Sequence, residues 1–181
     1  FQSSKLAVEE LSEKYPERKL YTVDTLCASL GQGLLVWYAA RMKNEGRGIG
    51  AVRDWLEENK LHLCHWFTVD DLHFLKRGGR ISSATAVLGT MLSIKPIITF
   101  SDDGQLQSIA KVRGRRQVQD KILELLRARF QSGRRYNLAV ANGGAPEEMA
   151  EFAARLKAEF PNYEHFWEGV MDATLSVYIG D

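Results

Sequence analysis

Apolar positions recur at helical spacing from the start of the chain. Leu6, Ala7, Leu11 and Tyr15 form one stripe over Phe1–Tyr15, Lys5, Glu9, Glu10 and Glu13 lie outside it, and Pro16 stops the pattern. Leu20-Tyr21-Thr22-Val23 reads as a short strand closed by Asp24. Gly31-Gln32-Gly33 opens a second helix carrying Leu34, Leu35, Trp37, Tyr38 and Met42, which Asn44-Glu45-Gly46 ends. Ile49, Val52, Trp55 and Leu56 predict a third helix over Ile49–Asn59.

From Leu61 the pattern changes. Leu61–Val69 reads as a strand, and Asp70–Leu75 as a helical turn leading into Lys76-Arg77-Gly78-Gly79-Arg80. Ser82 or Ser83 caps a predicted helix through Ala84, Val87, Leu88 and Met91. Ile94–Phe100 is a strand in which Pro96 marks an edge or an irregular point. Asp102-Asp103-Gly104 turns it back into Leu106–Val112. A long helix over Arg115–Phe130 follows, then a strand at Tyr136–Ala141, a helix from Ala145-Pro146 to Phe160, a turn at Pro161-Asn162 and a last strand at Asp172–Ile179. This alternation predicts an α/β layer architecture. A composition shift near residues 60–70 divides it, with an N-terminal α/β part over 1–65 and a C-terminal α/β domain over 66–181, the latter expected to hold a mixed sheet with flanking helices.

Composition narrows the function. A formal net charge of +1 over 181 residues argues against a protein built for bulk nucleic-acid binding. Cys27 and Cys64 make neither a disulfide framework nor a metal motif, which favours reduced thiols in the cytoplasm. No apolar run is long enough to span a bilayer, so no stable membrane insertion is expected. The chain begins at Phe1 and reads as a piece of something longer.

Two basic knots carry the candidate chemistry. In Leu75–Ser82, glycines beside Lys76, Arg77 and Arg80 allow a close approach to an anion, at the edge of an apolar segment. In Lys111-Val112-Arg113-Gly114-Arg115-Arg116, cations crowd a helix start, where the dipole disfavours them. That conflict calls for a bound anion or an acidic partner. His62, His65, His73 and His165 form no metal pattern, and turn or cap chemistry accounts for Asp70-Asp71 and Asp102-Asp103. No nucleophile elbow, Walker loop or complete dinucleotide fingerprint is present, so no catalytic residue is assigned.

Asp71-Leu72-His73-Phe74-Leu75-Lys76-Arg77-Gly78-Gly79-Arg80-Ile81-Ser82, then Leu92-Ser93-Ile94-Lys95-Pro96-Ile97-Ile98, Asp103-Gly104 and Lys111-Val112-Arg113-Gly114-Arg115, closely resembles the DegV family. Gln2-Ser3, Val23-Asp24-Thr25 and Ala28-Ser29-Leu30-Gly31-Gln32-Gly33 look like the same family, and the resemblance is strongest from Phe1 to Arg116. It implies a two-domain α/β protein that holds a long-chain fatty acid in a buried apolar tunnel. The bound acid is presented to a fatty acid kinase, which phosphorylates its carboxylate, so the carrier is not itself the catalyst. The fatty acid is the ligand, and no cofactor or metal is implied. Arg80, Ile81 and Ser82 are expected at the head group, Ala84, Val87, Leu88, Met91, Ile94 and Ile98 along the acyl chain, and Arg113 and Arg115 toward the phosphate or the kinase.

Two departures accompany the resemblance. Family members have a longer N-terminal segment with serine and threonine motifs for the carboxylate, so the chain is identified as a fragment whose N-terminal α/β domain is incomplete. Exposed apolar surface on such a domain favours self-association. The family also carries a His before a Gly-Pro-Gly near its C-terminus. Leu175–Gly180 resembles the strand leading into it, with Tyr178 at the His position, where a phenol donates a hydrogen bond in part replacement. An enzyme acting on a phosphorylated or carboxylated small molecule is the alternative, with the glycine-arginine loop as its anion clamp. A DNA-binding regulator finds little support in a patch as short as Lys111–Arg116.

Overall fold

The structure, a computed structural model, describes residues 1–81 and 94–171 together with Leu175 and Val177. The chain divides into two compact units, Phe1–Cys64 and His65–Asp181.

The regular structure described in the first unit is helical: α1 (Gln2–Lys14), α2 (Ser29–Asn44) and α3 (Ile49–Asn59), followed by a 3-10 turn at Lys60–His62. The helix α2 begins two residues before the predicted glycines, because Ser29 takes up the turn itself at φ 51°. The strand expected at Leu20–Val23 is absent. That stretch carries no regular structure, because without a neighbouring strand among the described residues its peptide groups form no ladder. It ends in an Asx turn, where Leu26 N–H donates to Asp24 Oδ1 at 3.1 Å. Tyr38 packs on Trp55 with ring centroids 5.1 Å apart, tying α2 to α3.

The second unit holds two sheets. In the first, β1 (Trp66–Phe67), β2 (Ile94–Phe100) and β3 (Leu106–Arg113) pair antiparallel in that order. The strand expected over Leu61–Val69 shrinks to β1, since only Trp66 and Phe67 find partners, Thr99 and Ile98. Pro96 lies in the middle strand of the sheet, yet β1 pairs only Ile98 and Thr99. Among the described residues, the strand at Pro96 therefore has β3 alone beside it, and the missing N–H costs no ladder bond to β1. The hairpin closes with Gly104 at φ 78°, and Ser101 N–H donates to Gln105 O at 2.8 Å.

In the second sheet β4 (Tyr136–Asn142) runs parallel to β5 (Tyr163–Val170), with Leu138 opposite Phe166. β5 lies where the sequence pattern predicts no strand. The strand expected at 172–179 falls outside the described residues except at Leu175 and Val177, which are helical. Two helices complete the unit, α5 (Arg115–Arg129) against β2 and β3, and α6 (Pro146–Glu159) against β4. Leu123 of α5 and Leu156 of α6 meet Phe160, Leu138, Val140 and Phe166 in one core. A second core of Val69, Leu72, Leu75 and Ile98 lies beneath the helix α4 (Leu72–Arg77), with Phe67, Ile81 and Leu106 against it. The expected mixed sheet is thus seen as separate antiparallel and parallel sheets among the described residues.

Candidate functional site

The α4 loop is built by its own backbone. Asp71 caps the helix, its Oδ1 accepting the His73 N–H at 2.8 Å. At the other end Gly79 sits at φ 70°, Arg80 N–H donates to Leu75 O at 2.9 Å, and Gly79 N–H donates to Lys76 O at 2.9 Å. This is a Schellman closure, which needs a residue at ease with positive φ where Gly79 stands. It turns the chain so that the Arg80 guanidinium donates to Gly78 O and Ile81 packs on the Val69–Leu72–Leu75–Ile98 core. A cation and an apolar floor are therefore adjacent at the end of α4.

The second knot is also a built turn. Gly114 takes φ 81° and ψ 162°, a region essentially reserved for glycine. Gln117 reaches back so that its Oε1 accepts the Arg113 N–H at 3.1 Å. Arg115 begins α5, and its Nη2 lies 2.5 Å from Asp70 Oδ2 and its Nη1 3.6 Å from Glu148 Oε2. The other Asp70 oxygen, Oδ1, takes Lys95 Nζ at 2.5 Å. Burial pushes the Asp70 pKa up, but the Lys95 hydrogen bond and the Arg115 charge outweigh it and hold the carboxyl below its usual range. The acidic partners that the helix dipole calls for are thus Asp70 and Glu148, and the Arg115 guanidinium is engaged within the fold.

Asp70 and Asp71 have separate tasks, so cap chemistry accounts for Asp71 alone. The only sequence signal was the unfavourable charge at the α5 start, and the partner lies 45 residues away. Lys111 and Arg113 are exposed, and among the described residues neither is paired with a carboxylate. A cleft of about 20 Å3, room for one water, lies between Asp70, Ile94, Pro96, Ser108 and Lys111.

Of the residues expected at the site, Arg80 and Ile81 stand together at the α4 loop, Ile94 lines the cleft, and Ile98 is 1% exposed within the core. Arg113 and Arg115 flank Gly114 with different surroundings. Ser82, Ala84, Val87, Leu88, Met91 and Tyr178 lie outside the described residues. No group of three His, Cys, Asp or Glu side chains among the described residues is placed to hold a metal ion. No described helix is long and apolar enough to cross a membrane.

The family described as uncharacterised protein, DegV family, matches residues 1–181. A DegV domain-containing protein of Clostridium perfringens is 44% identical over 161 residues, covering 89% of this chain and 55% of that protein. A fatty-acid-binding DegV family protein from Thermus thermophilus has a similar structure at 30% identity, with a TM-score of 0.79 over 94% of this chain and 61% of that one. The Streptococcus pneumoniae fatty acid kinase B3 protein loaded with linoleic acid shares the fold at a TM-score of 0.86 and 20% identity, covering 99% of this chain and 63% of that one. The chain thus spans between half and two thirds of the length of these proteins.

Proposed function

The chain belongs to the DegV family, and on that premise we propose that it binds a long-chain fatty acid in an apolar tunnel of its second unit and presents the carboxylate to a fatty acid kinase. The observation that carries the reading is the adjacency of Arg80 and Ile81, an exposed cation next to a residue packed on an apolar core. Its support from relatives is the fatty-acid-binding protein of Thermus thermophilus and the kinase B3 protein of Streptococcus pneumoniae.

In this reading Arg80, Ile81 and Ser82 serve the head group, with Tyr178 as a further donor. Ala84, Val87, Leu88, Met91, Ile94 and Ile98 line the acyl chain. Arg113 faces the phosphate or the kinase, and Arg115 holds the turn that presents it. The protein is a carrier that works in the cytoplasm, and phosphoryl transfer belongs to its partner. Native mass spectrometry of the full-length protein after gentle purification tests the proposal. A co-purifying or loadable long-chain acid is the expected result. Failure to recover or load any would end it, and turnover of a small phosphorylated or carboxylated substrate without a kinase would put the enzyme reading in its place.

A further inference from the structure

One carboxylate joins elements far apart in the chain. Asp70 lies in the lead-in to α4, Lys95 on β2 and Arg115 at the first turn of α5. Glu148 at the start of α6 adds a second acid to the same guanidinium at 3.6 Å. The Lys95 and Asp70 side chains are 18% and 43% exposed, so the inner half of this chain of charges is shielded from water and the outer half is not. Both Asp70 oxygens are used, one for each cation, in charge-assisted bonds that fix direction as well as distance. The same loop, two residues on, starts α4, whose C-terminal closure carries Arg80. The same guanidinium, two residues on from Arg113, anchors the Gly114 turn.

We infer that Asp70 is a positioning residue: by gripping Lys95 and Arg115 together it locks the Gly114 turn that aims Arg113, and so sets how well the loaded carrier engages its kinase. The functional half of this inference rests on the reading given under Proposed function, and the positioning half does not. An amide in place of the carboxylate keeps the shape but removes the charge and leaves one accepting oxygen for two cations, so Arg115 at its helix N-terminus keeps only the more distant Glu148 as an acidic partner. Glutamate keeps the charge on a stem one carbon longer and restores the grip in part.

The experiment compares Asp70→Asn, Asp70→Glu and Arg115→Gln with the unaltered full-length protein. Amide hydrogen exchange over residues 113–117 should quicken on the order of tenfold in Asp70→Asn and Arg115→Gln, and return toward the original rate in Asp70→Glu. With oleate as the loaded acid and a purified fatty acid kinase, Asp70→Asn should raise the KM for the loaded carrier while kcat and oleate affinity stay within about twofold. Should Asp70→Asn fail to fold, Arg115→Gln is read by the same criteria. Unchanged exchange at 113–117 overturns the inference. So does an equal loss of oleate affinity and kinase engagement that Asp70→Glu does not relieve, because a general loss of stability would do the same. If the unaltered protein neither binds oleate nor serves the kinase, the fatty-acid reading fails, and the exchange rates alone decide whether Asp70 positions the turn.

Discussion

The imidazole of His65 lies 5.0 Å from the ring of Phe100, and its Nδ1 is buried without a hydrogen-bond partner among the described residues. Phe67 flanks the same imidazole at 5.9 Å. Burial among these rings lowers the His65 pKa from 6.5 to about 4. The unfolded chain therefore binds this proton more readily than the folded one between those two values. Stability contributed by neutral His65 is full above pH 6.5 and is lost as pH falls through about 4. Because the residue as a whole is only half-buried, we expect the loss to be about 2 kcal/mol. Urea unfolding across this range should show stability climbing with pH, and His65→Phe should flatten the climb. An unaltered slope in that variant would locate the titration elsewhere.

Two glycine substitutions should move stability in opposite directions. Gly114 has φ 81° and ψ 162°, with open space where a Cβ would stand, so alanine there meets backbone strain alone. Gly114→Ala should cost about 1–3 kcal/mol. Gly33 lies exposed within α2 at an ordinary helical position, again with open space for a Cβ. Gly33→Ala should raise stability by about 0.5–1 kcal/mol, by removing freedom from the unfolded chain. Denaturant midpoints read both, and a stable Gly114→Ala would show that the turn relaxes to another conformation.

Local periodicity made much of this architecture legible. Ile49, Val52, Trp55 and Leu56 placed α3 over Ile49–Asn59 as found, and Asp102-Asp103-Gly104 located the β2–β3 hairpin. What local pattern could not carry was pairing between distant segments. Tyr163-Glu164-His165-Phe166-Trp167 lacks clean alternation, and its strand identity comes from lying parallel to β4, so β5 went unread. Leu20–Val23 has the composition of a strand but no partner among the described residues, and composition alone does not make a ladder. The loop residues of the candidate site stood out because glycine and arginine are conspicuous together. Asp70 did not, because its meaning depends on Lys95 and Arg115.

The α5–α6 contact supplies a third test. Arg155 Nη1 donates to Gln119 Oε1 at 2.7 Å, and its Nη2 donates to Asp120 Oδ1. Gln119 is 8% exposed, the one buried polar side chain among the described residues, so its amide depends on that guanidinium. Arg155→Ala should cost about 1–2 kcal/mol, chiefly by stranding Gln119. Arg116→Ala, which breaks pairs with the exposed Asp120 and Glu151, should cost under about 0.5 kcal/mol. The ranking should persist in high salt, since screening weakens the exposed pairs more. Equal costs would mean that Gln119 finds another partner.

Arg113 is where the fold and the proposed partner meet. Its backbone is fixed by the pairing of β3 with β2, by Gln117 and by the Gly114 turn, while its side chain is exposed. Arg115, on the other side of the glycine, spends its charge on Asp70 and Glu148. A cation held on a rigid stem, with no carboxylate partner among the described residues, suits recognition of an anionic group on another molecule. Arg113→Ala should lower kinase-dependent phosphorylation of bound oleate on the order of tenfold, with oleate affinity within about twofold of the original. Arg113→Lys should recover part of the loss, since it restores the charge but not the two-pronged geometry. The original protein should lose kinase engagement as ionic strength rises, and Arg113→Ala should lose less. Equal weakening of oleate binding and phosphorylation would instead assign Arg113 to the head-group site beside Arg80.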